Sequence, residues 1–183
     1  NLLKASLLSI SILSLGVSAN DNKPLVYINK NIGFNVPGYK YQQSALPCDI
    51  DEHLVEQVIE KATNANINMV AVETADKIRN GKVPVLLIDV EQLALGKEHA
   101  FGVKGNKKQR SHLPKVQITA GVLKGQNLES AKHTCAIATL SEFSPSSSVL
   151  DLGHTGTTVC SATRKCLKSL SKDLVEWLEP QVK

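Results

Sequence analysis

The sequence predicts an α+β fold: a mostly antiparallel sheet of about four to six strands with two main helices packed on one face. Three observations carry this expectation. Apolar residues recur with a period of two in several short stretches, the pattern of half-buried strands. Two longer stretches place them at helical spacing instead, as amphipathic helices do. Turn signals separate successive alternating stretches, which favours antiparallel neighbours. The expected order is β-α-β-β-β-β-α.

Over residues 26–36 the even positions Val26, Ile28, Ile32, Phe34 and Val36 are apolar, with Lys30 the exception. One long strand is expected there, ended by Pro37-Gly38. Asp49 then reads as the N-cap of a helix, and Glu52 completes a capping box. Ile50, Leu54, Val58 and Ala62, flanked by Val55 and Ile59, form its apolar stripe, with His53 off the stripe. Fraying is expected at Asn64-Ala65-Asn66. A short strand follows over 68–73, then a helical turn within 74–80 that ends at Gly81. Residues 83–93 read as an apolar strand in which Leu86, Ile88 and Val90 share a face. Val116, Ile118, Ala120 and Val122 give a strand over 115–123 its buried side. After the turn residues Gly125-Gln126-Asn127, the next strand is expected over 131–140. Residues 144–148 read as a loop and 149–152 as a brief strand. A helix is expected from Thr157 to about Glu179, stopped by Pro180. Its buried arc holds Val159, Thr163, Cys166, Leu170, Leu174 and Trp177.

A chain of 183 residues, 42% hydrophobic and 21% charged, suits one globular domain. Aromatic residues make up only 4%, which argues against sugar-stacking and base-stacking surfaces. A net charge of +4 and a pI near 8.9 are mildly basic, so no nucleic-acid partner is expected.

Lys4 precedes an uncharged, largely apolar run over residues 5–16, and Val17-Ser18-Ala19 follows with small residues at the −3 and −1 positions. This is the pattern of a secretory signal peptide over residues 1–19, leaving a single exported domain over 20–183. The run is about a dozen residues long, whereas a bilayer needs about 20. No cysteine stands at the cleavage point, so no lipid anchor is expected, nor any membrane-spanning segment in the mature chain. The expected location is periplasmic or secreted.

Cys48, Cys135, Cys160 and Cys166 are the four cysteines, and an even number in an exported chain predicts two disulfides. Cys160 and Cys166 fall in one predicted helix, about 9 Å apart along its axis at 1.5 Å per residue. That exceeds the roughly 7 Å limit between bridged Cα atoms. Each therefore reaches to Cys48 or Cys135, in an order the spacing leaves open. A rival reading takes His133 and Cys135, on one face of a strand, as metal ligands. No CxxC, HExxH or HxH motif completes such a set. No cofactor is expected.

The stretch 103–115 carries Lys104, Lys107, Lys108, Arg110 and Lys115 without an acidic residue. It reads as an exposed loop, and such a loop attracts anionic surfaces. Gly153-His154-Thr155-Gly156-Thr157-Thr158 opens the last helix without the GK[ST] ending of a phosphate loop. Plain N-capping by Thr155 or Thr157 accounts for it. There is no GxSxG elbow. If catalysis occurs, the candidates are His133 with His154, or the carboxylates of Asp89 and Glu91 two apart on one strand.

The layout resembles the small α/β domain of bacterial envelope proteins: curli-secretion-type and penicillin-binding-protein-activator-type lipoproteins, and the N-terminal domain of the Tol-system propeller protein. The resemblance spans residues 25–180. It rests on a strand leading to the helix that opens at Cys48-Asp49-Ile50-Asp51-Glu52, on strands near 85–90, 116–122 and 135–140, and on a long helix over 157–178. It implies a non-enzymatic binding or assembly protein of the cell envelope, its partner an envelope protein or an anionic envelope surface. The alternatives are an enzyme at one of the two candidate sites above, or a periplasmic small-ligand or metal-binding protein using His133 and Cys135.

Overall fold

The structure, a computed structural model, describes residues 22–37, 46–94, 115–136 and 155–183. The elements are β1 (Leu25–Asn29), β2 (Gly33–Phe34), a 3-10 turn (Pro47–Asp49), α1 (Ile50–Asn64), β3 (Asn68–Val72), α2 (Ala75–Ile78), β4 (Val85–Ala94), β5 (Lys115–Lys124), β6 (Asn127–Ala136) and α3 (Thr155–Val182). Six strands form one sheet in the order β3-β1-β4-β5-β6, with β2 also on β4. The class is α+β, as the apolar periods predict. The expected signal peptide, the 144–148 loop, the 149–152 strand and positions 137–140 lie outside the described residues.

Pairing is mostly antiparallel because the long ladders, β4 with β5 and β5 with β6, are antiparallel. The N-terminal strands depart from that expectation. β1 runs parallel to both β3 and β4, and β2 runs parallel to β4. Helix α1 carries the chain back along the sheet, so β3 must enter beside β1 in the same direction.

The single strand expected over 26–36 is two strands. Ile28 pairs with Leu86 and Gly33 with Asp89, so this segment advances five residues while β4 advances three. The two extra residues form a bend in which the Asn29 side chain accepts a hydrogen bond from the Asn31 N–H at 3.0 Å. An insertion of two preserves the parity of the strand. Val26, Ile28, Ile32 and Val36 therefore all remain buried, and the interruption leaves no trace in the apolar period. Gly33 is required for space: a Cβ there would fall on the Asp89 carboxylate. Gly33→Ala is expected to cost about 1 kcal/mol, and most of that loss should disappear when Asp89→Ala is added, as measured by a double-mutant cycle in urea.

The capping box is also absent. Asp49 precedes α1 with φ 51° and no side-chain cap, and Cys48 before it has φ 58°. A residue in the left-handed region does not present its side chain as an extended N-cap does. At the other end α1 does not fray. Asn66 is left-handed at φ 57°, Ile67 N–H donates to the Ala62 carbonyl at 2.9 Å, and Asn66 N–H donates to that of Thr63 at 3.1 Å. This is a Schellman closure, sealed by the buried side chains of Ala62 and Ile67.

β5 and β6 form a hairpin closed by Lys124 opposite Asn127. Gly125 supplies the left-handed φ of 61° that the first position of a two-residue turn demands. β6 begins four residues earlier than expected. Its first half, Asn127 to Ser130, is exposed at the sheet edge and has no core side to imprint an alternation. α3 runs on to Val182 with Pro180 inside it. One turn from a helix end, proline removes a single hydrogen bond and leaves little helix to disrupt.

Both long helices cover the same face. Val26, Ile28, Leu86, Ile88, Val90, Val116, Ile118, Ala120 and Val122 meet Ile50, Leu54 and Val58 of α1 and Leu167, Leu170, Leu174 and Leu178 of α3 in one core. Among the described residues, no helix is long and apolar enough to cross a membrane.

Candidate functional site

Two polar clusters occupy opposite faces of the sheet. Beneath α3, the two-residue period of β6 turns His133 and Cys135 to the same side. Cys135 is bonded to Cys166, with Cα atoms 5.4 Å apart. His133 is only 5% exposed, its Nδ1 lies 2.6 Å from Asp173 Oδ2, and its ring meets Trp177 edge-on at 5.4 Å. A carboxylate at Nδ1 selects the tautomer in which that nitrogen donates, leaving Nε2 as an acceptor. Nε2 is buried and has no partner among the described residues. A histidine–aspartate pair acts as a general base only where Nε2 reaches the proton to be removed. Here that atom is enclosed, and the pair ties α3 to β6.

Packing rather than proton transfer is therefore the expected role of His133. Phe in its place keeps the edge contact with Trp177 and removes the unpartnered nitrogen, while the 64% exposed Asp173 side chain turns to water. His133→Phe should change folding stability by no more than about 1 kcal/mol, read by urea denaturation.

On the face opposite the two long helices, β4 carries an extra residue between Val90 and Gln92. This bulge points Glu91 across β5, as bulges commonly re-aim a side chain. Thr119 Oγ1 donates to Glu91 at 2.6 Å, Gln117 Nε2 at 3.3 Å, and Lys132 Nζ of β6 lies 3.0 Å away. The Thr119 hydrogen bond first, and then that of Lys132, hold the Glu91 carboxyl below its ordinary value of 4.5. A carboxyl depressed in the folded state contributes stability above its unfolded value and loses it as pH falls through the folded one. Acid titration of stability is therefore expected to show a component below about pH 4.5 that Glu91→Gln lacks. Asp89 shares this face but leans on Gly33 of β2. The two carboxylates turn to opposite neighbours and are not gathered into one acid–base pair.

The expected placement of the disulfides holds, and the open order is settled. Cys48 bonds Cys160 at a Cα separation of 5.3 Å, and Cys135 bonds Cys166. Both bridges join α3 to the rest of the domain. They lie at the end of the sheet where β4 and β6 finish and α1 begins. With Cys135 in a disulfide, the rival reading of His133 and Cys135 as metal ligands has no free thiolate to offer. No group of three or more His, Cys, Asp or Glu side chains gathers for a metal among the described residues.

Of the basic stretch, Lys115 is described: it is the half-buried first residue of β5, paired with Ala94 and Ala136. Lys104, Lys107, Lys108, Arg110 and His154 lie outside the described residues. The sequence does not mark Asp173 and Trp177 as partners of His133. The i, i+4 spacing of Asp173 and Trp177 places them on one helix face, but nothing local links that face to a strand 40 residues earlier.

No family model matches the chain, and no curated protein matches it. Several solved structures are similar in layout. An uncharacterized protein aligns over 85% of this chain and 92% of its own, at 8% identity and a TM-score of 0.47. A PelC dodecamer from Paraburkholderia phytofirmans covers 81% and 90% at 16% identity and 0.39. A protein described as a neuraminyllactose-binding hemagglutinin homolog from Helicobacter pylori covers 89% and 84% at 8% identity and 0.41.

Proposed function

We propose that this chain is an exported, non-enzymatic domain of the cell envelope that works by binding or assembly. The observation that carries the reading is the state of its cysteines: all four are in disulfides. Such bridges form and persist in oxidising compartments and are rare where thiols are kept reduced. The signal-peptide pattern over 1–19 supports the same location. The element order, which resembles that of small envelope domains, supports a role through contacts. The enclosed Nε2 of His133 and the diverging carboxylates of Asp89 and Glu91 weaken both catalytic alternatives. The bonded Cys135 weakens the metal-binding one.

The partner is an envelope protein or an anionic envelope surface, and the basic residues Lys104, Lys107, Lys108, Arg110 and Lys115 are the proposed contact. Cell fractionation combined with thiol counting tests the location. A processed chain outside the cytoplasm with no alkylatable thiol is expected, and an uncleaved cytosolic chain with four free thiols overturns the reading. Co-sedimentation with phosphatidylglycerol vesicles, compared with phosphatidylcholine vesicles, tests the surface. Binding that falls steeply with salt supports it, while equal or absent binding to both leaves the envelope protein as partner. In-cell crosslinking from position 107 or 108 that then recovers no envelope component overturns the contact.

A further inference from the structure

We propose that the Cys48–Cys160 bridge is a redox clasp, opened selectively by a dithiol reductant, while Cys135–Cys166 is a permanent staple. The two bridges differ in surroundings. Cys135 and Cys166 are 8% and 4% exposed and belong to the core beside His133, so an incoming thiolate has far less access to this bridge. Cys48 and Cys160 are both only half-buried. Thiol–disulfide exchange requires access to a sulfur, so rates divide by exposure.

The backbone at Cys48 adds a second observation. Cys48 and Asp49 are consecutive left-handed residues at φ 58° and 51°, a conformation that is costly for any residue with a Cβ. It persists where surrounding structure over-determines it. Among the described residues, the restraints around this pair are buried Leu46 before it, buried Ile50 after it, and the bridge itself; the hydrogen bond from Asp49 N–H to Leu46 is long at 3.3 Å. No side-chain cap holds the first turn of α1. Opening the clasp removes the one covalent restraint on the turn, so the strained pair relaxes and the start of α1 loosens. The staple and the buried stripes of α1 and α3 keep the rest of the domain folded.

The exchange balances as follows. One thiolate of the dithiol attacks one of the two clasp sulfurs, forming a mixed disulfide and breaking the Cys48–Cys160 bond. The departing cysteine leaves as a thiolate and takes up a proton. The second thiolate of the reductant then attacks its own sulfur in the mixed disulfide and releases the other cysteine, which is also protonated. The dithiol ends as a disulfide, oxidised by two electrons, and the protein gains two thiols.

The test is a time course of the oxidised mature chain with dithiothreitol under native conditions at pH 8, quenched with iodoacetamide and read by peptide mapping. Cys48 and Cys160 are expected to become alkylated at least about tenfold faster than Cys135 and Cys166. The singly reduced species should keep the near-ultraviolet dichroism of Trp177, while amide exchange over residues 50–54 rises at least about tenfold. Simultaneous reduction of the two bridges, earlier reduction of Cys135–Cys166, or unchanged exchange at the start of α1 overturns the clasp. The C48S/C160S variant is expected to show the same local exchange with native Trp177 dichroism, and global unfolding of that variant also overturns the proposal. The clasp presupposes the oxidised chain of the proposed function. Four free thiols in cells refute that location, whereas uniform reduction of a purified oxidised chain refutes the clasp alone.

Discussion

The Cys135→Ala, Cys166→Ala double variant should be about 2–5 kcal/mol less stable than the oxidised parent. The bridge closes a sequence separation of 31 residues, for which chain entropy in the unfolded state accounts for about 3–4 kcal/mol. The bridge is also core material: Cys135 and Cys166 are buried in the cluster that contains Val116 and Leu170, so truncation leaves space within that cluster. Equilibrium denaturation at pH 7 without reductant, followed by Trp177 fluorescence, measures the loss. The Cys48–Cys160 bridge spans 112 residues, and loop length alone would rank it as the stronger of the two. The opposite ranking is expected here. Removing that bridge also releases two left-handed residues, which offsets part of the entropy, whereas removing Cys135–Cys166 relieves nothing. A larger loss in the C48S/C160S variant would contradict this account of the backbone at Cys48 and Asp49.

The other large effect is expected at Leu174. This side chain is fully buried on α3, in the stripe that includes Leu167, Leu170 and Leu178 and faces the α1 residues Leu54 and Val58 across one continuous core. Leu174→Ala removes transfer free energy and leaves a cavity that two packed helices and a sheet cannot readily close. The expected cost is about 2–5 kcal/mol, measured as the shift in urea midpoint at constant slope. Lys172→Ala, two positions away and exposed in an ion pair with Glu176 at 3.6 Å, should stay within about 0.5 kcal/mol. Equal effects at the two positions would mean that α3 does not bury the face assigned to it.

Much of the fold could be read from spacing. Ile50, Leu54, Val58 and Ala62 in α1, and Val116, Ile118, Ala120 and Val122 in β5, are buried as their periods require. Errors cluster where neither side of a strand is buried or the parity survives an interruption. The bend between β1 and β2 hides behind an even insertion, and the start of β6 hides in an exposed edge. The capping box at Asp49 and Glu52 was a legitimate local signal, overridden by the left-handed turn at Cys48 and Asp49.

The site was less legible. His133 and Cys135 were found as a pair on one face, but their partners Asp173 and Cys166 come from a helix 40 and 31 residues away. Glu91 reads as a strand carboxylate, yet its three partners depend on a bulge that no residue type announces.

By its own composition and spacing, the sequence determined the class of fold, the buried side of each main element, and the fact that both bridges must leave the last helix. These follow from short-range geometry: the repeat of a strand, the repeat of a helix and the reach of a disulfide. The tertiary structure alone decided which cysteines pair, that β1 lies between β3 and β4 in parallel, and that His133 is enclosed by Asp173 and Trp177. Those outcomes depend on which surfaces meet after long stretches of chain close upon one another, and residue spacing within a single element carries no record of that.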